Sequence, residues 1–292
     1  MIGVHKSTIS RELNRNKGLR GYRPKQAQRF TQLRRVSKAN KRISVNTWNF
    51  VTKLLVEDWS PEQISTWLKI EKNIYVSHER IYQYVLQNKS HGGQLYTHLR
   101  CKKKRRKRYG KYDRRGQLLN RVSIENRPAI VDSKGRYGDW EVDTIIGKSH
   151  QQAIVSLTER KSRLSLIRKV ERKTADLVGK AVIDLLNPIS QLVHTITADN
   201  GKEFAKHESI SKQLQTDFFF AHPYSSWERG LNENTNGLIR QYFTKKQNFT
   251  TITDDQILLA MEKINNRPRK CLGFKTPNQV FFGLNPDVAL TS

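Results

Sequence analysis

Three strand-like blocks follow one another after Tyr137 with no helix between them, and this succession restricts the fold more than any other feature of the chain. Trp140 to Ile146, Ala153 to Thr158 and Leu164 to Val170 are rich in β-branched and apolar residues, and polar connections such as Glu159-Arg160-Lys161-Ser162-Arg163 join them. Strands joined this closely pair as an antiparallel meander, because a parallel partner needs a long crossover. The period then changes. Thr174 to Leu186 carries Ala175, Val178, Ala181, Val182, Leu185 and Leu186 at helical spacing, with Pro188 beyond its end. Val193 to Ala198 returns to strand, Asp217 to Ala221 gives a last short strand, and Glu228 to Tyr242 a long helix.

The order β-β-β-α-β is that of a ribonuclease-H-like domain, an α/β fold whose mixed sheet is flanked by helices. The residues ahead of it read as all-α. Ser44 to Glu57 places Val45, Trp48, Val51, Leu54 and Leu55 on one apolar face behind a Ser44 cap. Ser60-Pro61-Glu62-Gln63 combines an N-cap, a proline at the first helical position and a capping-box glutamine, opening a helix through Ile64, Trp67 and Leu68. Ser77 caps a further helix, His78 to Gln87, with Ile81, Tyr82 and Val85 as its apolar set. Two capped helices around a short connection predict a helix-turn-helix, with His78, Arg80 and Gln83 on the other faces of the second helix as candidate DNA contacts.

At the start of the chain, Ser7 is the expected cap of a short helix marked by Ile9 and Leu13. Its polar face offers Lys6, Ser7, Thr8, Ser10 and Arg11, the hydroxyl and cationic groups that reach base edges and phosphates. Only six residues precede Ser7, so this unit reads as a shortened helix-turn-helix. The expected organisation is a partial helix-turn-helix and basic segment over 1–40, a helix-turn-helix domain over 41–99, a basic linker over 100–130 and the ribonuclease-H-like domain over 131–292. The length of 292 residues suits two to three domains.

Charge identifies the partner. With 54 Lys and Arg against 26 Asp and Glu, the formal net charge is +28, a field that attracts a polyanion. The run RCKKKRRKRYGKYDRR from Arg100 to Arg115 holds eleven Lys or Arg and no apolar periodicity. It predicts phosphate contact through residues such as Lys103, Arg105 and Arg106. No stretch approaches the roughly 20 apolar residues of a spanning helix and no signal peptide opens the chain, so a cytoplasmic protein without a membrane partner is expected. The two cysteines, Cys101 and Cys271, stand far apart and form neither a disulfide framework nor a zinc site.

Chemistry on a phosphodiester is well served by two hard cations held by carboxylates from separate elements. In Gly138-Asp139-Trp140-Glu141-Val142-Asp143, period-two geometry puts Asp139, Glu141 and Asp143 on one strand face. Asp143 lies deepest, where an acid without a metal or partner is costly. Asp139, and in part Glu141, suit an exposed strand edge. Asp199 ends the strand Thr195 to Ala198 and opens an Asp-Asn-Gly turn, whose glycine can bring backbone close to phosphate. The segment Glu228-Arg229-Gly230-Leu231-Asn232-Glu233-Asn234-Thr235-Asn236 is rich in asparagine, a poor helix former, which points to retained contacts through Asn232, Asn236 and Arg240. Glu233, Asn236 and Arg240 share a face. Spacing alone does not decide between Glu228 and Glu233.

Five motifs in order, WSPEQIS (59–65), WEVDTIIG (140–147), TADNGKEF (197–204), ERGLNENTNGLIRQYF (228–243) and NNRPRKCLGFKTPNQVF (265–281), resemble those of the insertion-sequence transposases of the IS-thirty family. These belong to the wider group of transposases and retroviral-type integrases with a DDE active site. The resemblance spans nearly the whole chain. It implies Asp143, Asp199 and Glu233 as catalytic residues and ligands of Mg²⁺ or Mn²⁺, with 33 residues between the last two. It further implies cleavage at terminal inverted repeats, joining to target DNA and a homo-oligomeric complex on double-stranded DNA.

Overall fold

The computed structural model describes residues 3–38, 43–100, 118–148, 152–223 and 225–283. The chain divides into two compact units, Met1–Trp48 and Asn49–Ser292. In the first, α1 (Lys6–Asn16) leads through a small antiparallel hairpin, β1 (Lys17–Gly18) and β2 (Gly21–Tyr22), to α2 (Pro24–Lys38). The helix starts earlier than expected: the cap is His5, whose ring accepts the Ser7 backbone N–H at 3.3 Å, so Ser7 lies inside the first turn. Ile9 and Leu13 remain 40 % and 42 % exposed. A polar anchor holds α1 to α2 instead: fully buried Asn16 donates to Glu12 at 2.6 Å and accepts from Arg34.

α3 (Val45–Val56) runs across the division, and α4 (Pro61–Lys72) and α5 (His78–Ser90) follow it. Their starts obey the sequence signals. Thr47 N–H donates to Ser44 Oγ, Ser60 and Gln63 form a reciprocal capping box, and Ser77 receives the Arg80 N–H. Val51, Leu54 and Leu55 are buried as the periodicity requires, but Val45, the first residue of its helix, is 74 % exposed.

The rest of the second unit comprises β3 (Val122–Ser123), α6 (Ala129–Asp132), β4 (Asp139–Ile146), β5 (Ala153–Glu159), β6 (Ser165–Val170), α7 (Ala175–Leu186), β7 (Thr195–Ala198), α8 (His207–Leu214), β8 (Asp217–Phe220), α9 (Gly230–Tyr242), α10 (Asp254–Asn265) and α11 (Pro277–Phe282). Six strands form one sheet in the order β3-β8-β7-β4-β5-β6. The β4-β5-β6 meander is antiparallel, while β7 and β8 join β4 in parallel. This is the expected mixed sheet with the expected order; the edge strand β3 and helix α8 lay outside the pattern read from sequence.

Strand alternation assigns each face its helices. Trp140, Val142, Val155 and Leu157 pack with Val178, Val182 and Leu186 of α7 and Ile210 and Leu214 of α8. Ile145, Ile154 and Ile167 face the other way, against Leu238 and Ile239 of α9 and Ile257 and Ile264 of α10. Gly138 admits the chain to β4: its φ is +93°, and a Cβ there would lie 1.9 Å from the Leu192 carbonyl oxygen.

The carboxy-terminal motif locks this second face. Asn265 completes the ladder of Ser165, accepting its N–H at 2.9 Å and donating to its C=O at 2.8 Å. Asn265→Ala leaves both backbone groups buried and unpaired, and is expected to lower stability by about 2–4 kcal/mol in urea denaturation; a loss under about 0.5 kcal/mol would refute the clamp. The same segment reaches α4: Gln63 donates to the Pro268 carbonyl and Lys270 pairs with Glu62 at 2.6 Å. Two motifs about 200 residues apart in sequence therefore meet in space. Among the described residues no helix is long and apolar enough to cross a membrane.

Candidate active site

Register brings the first two acids together. β4 and β7 run parallel with Asp139 opposite Thr195 and Glu141 opposite Thr197, so continuing two residues sets Asp143 against Asp199 on the same face. One guanidinium spans them. Arg229 Nη2 lies 3.3 Å from Asp199 Oδ2 and Nη1 lies 3.9 Å from Asp143 Oδ2. Burial pushes the Asp143 carboxyl above its ordinary value; Arg229 opposes the shift and neighbouring Asp199 adds to it.

Each aspartate is held at its other oxygen or by a neighbour. Asp143 Oδ1 accepts its following backbone N–H, that of Thr144, at 2.8 Å. Its Oδ2 accepts from Asn236 Nδ2 at 2.8 Å, while Asn236 Oδ1 accepts from Ser156 Oγ at 2.8 Å. Asp199 Oδ1 accepts the Gly201 N–H at 2.9 Å. Gly201 has no positive φ and leaves room for Glu203, whose carboxylate would lie 2.5 Å from a Cβ. Glu203 in turn accepts from Thr144 Oγ1 at 3.0 Å and pairs with Lys173 at 2.6 Å.

Glu233 is exposed in the first turn of α9. Within α9 it stands three residues before Asn236, which donates to Asp143, so helical spacing puts the two on neighbouring positions of one helix face. The structure does not gather Glu233 with the two aspartates into a ligand set: among the described residues, no group of three or more His, Cys, Asp or Glu is close enough to hold a metal. Glu228 is otherwise engaged, both its oxygens being taken by the backbone N–H and Nδ1 of His222 at 2.9 and 2.8 Å. The helix expected from Glu228 begins as a 3₁₀ turn over Ser226–Arg229 and becomes α-helical at Gly230.

Asp139 and Glu141 correct the exposed-edge expectation, since they are 1 % and 0 % exposed. Both have partners. Asp139 is held by Arg136 and Thr195 Oγ1, while Glu141 pairs with Arg160 and accepts the Asn232 N–H at 3.1 Å, capping the entry of α9. Two expected DNA contacts also turn inward. Asn236 is committed to Asp143 and Ser156, and Arg240 donates to the Ile146 carbonyl at 2.8 Å. Asn232 is fully buried. By contrast, Lys6, Thr8, Ser10 and Arg11 on α1, and His78, Arg80 and Gln83 on α5, are exposed, with Ser7 half-buried. Lys103, Arg105 and Arg106 lie outside the described residues. Sequence reasoning passed over Arg229 and Glu203. The first could have been found from its four-residue spacing to Glu233, while the second is in TADNGKEF with no distinguishing signal.

Only oxygen donors face the Asp143–Asp199 position from these carboxylates, a set suited to Mg²⁺ or Mn²⁺ rather than a soft metal. The sheet order, antiparallel meander and parallel β7 and β8 define a ribonuclease-H-like fold. Relatives narrow the class. The transposase for insertion sequence element IS4351 of Bacteroides fragilis is 46 % identical over 284 residues, covering 96 % of this chain and 87 % of the relative. Transposase InsI for insertion sequence element IS30C of Escherichia coli K12 is 36 % identical, covering 98 % and 77 %. The chain belongs to the IS30-type family of insertion-sequence transposases. No family model matches it. Among solved structures, the catalytic core domain of BIV integrase aligns with 50 % of this chain and 94 % of its own at 21 % identity, with a TM-score of 0.40, too loose a likeness to add to the sequence relationship.

Proposed function

We propose that this protein cleaves DNA at the inverted-repeat ends of its own insertion sequence and joins the freed 3′ hydroxyl to target DNA. The observation that carries the reading is the convergence of Asp143 and Asp199 from parallel neighbours β4 and β7 onto one position. Asp143, Asp199 and Glu233 would hold divalent cations, Mg²⁺ or Mn²⁺, two in number. Bound there, such ions supply activation of the attacking oxygen and charge stabilisation at the leaving one. Asn236 orients Asp143 through a hydrogen bond, Thr144 and Gly201 fix one oxygen of each aspartate, and Glu141 sets where α9 enters the site.

Double-stranded DNA is the substrate in this reading, and joining two ends requires at least two copies of the chain. The exposed polar residues of α1 and α5 would contact the ends, with the basic segment tracking phosphates. An assay with end-sequence duplexes and a target plasmid tests the activity: joined products are expected, and nicking without joining would favour simple hydrolysis. Binding should weaken steeply with salt, by roughly 10³-fold or more between 50 and 200 mM if six or more phosphates are contacted. Affinity that stays level across that range contradicts phosphate-dominated binding.

A further inference from the structure

Arg229 is 9 % exposed, among the more enclosed cations of the described residues, and it faces both aspartates of the site. Nη1 donates to the Val142 carbonyl at 3.1 Å while also lying near Asp143, and Nη2 faces Asp199. Its buried Nε finds no acceptor among the described residues. The Val142 carbonyl and the two carboxylates are what hold the guanidinium. A guanidinium does not shed its proton in a protein, so this positive charge is permanent.

A divalent cation shared by Asp143 and Asp199 would meet that charge at close range. Repulsion between cations a few ångströms apart is several times larger in a protein-like dielectric than in water. Both carboxylates that would hold the ion already face Arg229. We infer that Arg229 holds down the divalent-cation affinity of the Asp143–Asp199 pair, so that ion and nucleic-acid phosphate load together. An arriving phosphate supplies the negative charge that satisfies the arginine, and by linkage the ion and DNA then strengthen one another's binding. This inference rests on the metal-dependent reading of the site, and it adds a role for a residue outside the three acids.

The test is titration of the full-length protein with Mn²⁺ in the absence of DNA, read by calorimetry, for the wild type, Arg229→Gln, Arg229→Lys and Asp143→Asn. Arg229→Gln is expected to tighten Mn²⁺ binding roughly tenfold or more, from the removed charge repulsion. Arg229→Lys, which keeps the charge, stays near the wild type. Adding a DNA duplex tightens Mn²⁺ binding in the wild type and does so less in Arg229→Gln. Unchanged or weaker binding by Arg229→Gln overturns the inference. Should that variant unfold in chelator, recovery of the wild-type melting temperature with Mn²⁺ supports the charge role; remaining unfolded at saturating Mn²⁺ overturns it in favour of a purely structural one. The two levels separate cleanly. Wild-type Mn²⁺ binding that is indifferent to Asp143→Asn defeats the metal-site reading itself, whereas loss in Asp143→Asn with no change in Arg229→Gln defeats the arginine role alone.

Discussion

Asp143→Asn and Asp199→Asn are each expected to lower strand joining by roughly three orders of magnitude or more while leaving DNA binding measured in chelator nearly intact. Each change removes one anionic ligand at almost constant shape, and several kcal/mol of transition-state stabilisation corresponds to losses of that size. Asparagine at either position can still accept the neighbouring backbone N–H that the aspartate now takes from Thr144 or Gly201. The fold is therefore expected to survive, and circular dichroism with a melting curve checks this. Glu233→Gln is expected to act in the same direction. Its exposed position in the first turn of α9 makes it the most informative of the three, because its removal disturbs no packed neighbour. Joining at the wild-type rate in any one variant would sink that residue's assignment.

The second large effect concerns stability. Glu141 and Arg160 are 0 % and 6 % exposed and form an ion pair directly beneath the site. Arg160 also donates to the Val131 carbonyl at 3.1 Å, and Glu141 receives the Asn232 N–H at the mouth of α9. Arg160→Ala strands a carboxylate in the interior, which costs about 3–5 kcal/mol when one member of a buried pair is lost. For a unit of this size that corresponds to a fall in Tm on the order of 10 °C. The double variant Glu141→Leu with Arg160→Met should recover most of the loss, since replacing both charges by apolar groups is often close to neutral. It should fall short of the wild type by about 1 kcal/mol, the usual contribution of a helix cap. A single Arg160→Ala variant that melts within 2 °C of the wild type would contradict this account.

Strands, helix starts and the two aspartates were legible because each leaves a local mark. Runs rich in β-branched and apolar residues announced β4, β5 and β6, and Ser44, Ser60 and Ser77 announced the helices that they cap. Asp143 stood out as an acid within an apolar strand, and Asp199 as an acid at a strand end. What escaped depends on partners remote in sequence. Asp139 and Glu141 read as edge acids because nothing nearby reveals that Thr195 and Arg160 will neutralise or bond them. Asn236 and Arg240 read as DNA contacts because amides and guanidiniums look alike whether they meet phosphate or, as in the structure, Asp143 and the Ile146 carbonyl. At the amino end, His5 took the capping role from Ser7, a choice between two acceptors two residues apart. The carboxy-terminal motif carried no chemistry in the pattern, yet Asn265 and Lys270 use it to fasten β6 and α4.

The pairing of β4 with β7 has a consequence for how this chain can change. The two aspartates meet through phase across neighbouring strands, so the stretch of chain between them does not act as a ruler. Extra residues between α7 and β7, around Asn187–Leu192, would leave the meeting point untouched as long as the strand alignment holds. One residue inserted within β7 is a different matter. Every side chain beyond it would rotate to the opposite surface, turning Asp199 toward the apolar layer under α7 and α8. Length in the connecting loops is thus open to drift, whereas parity within four residues of strand is the quantity that selection must guard.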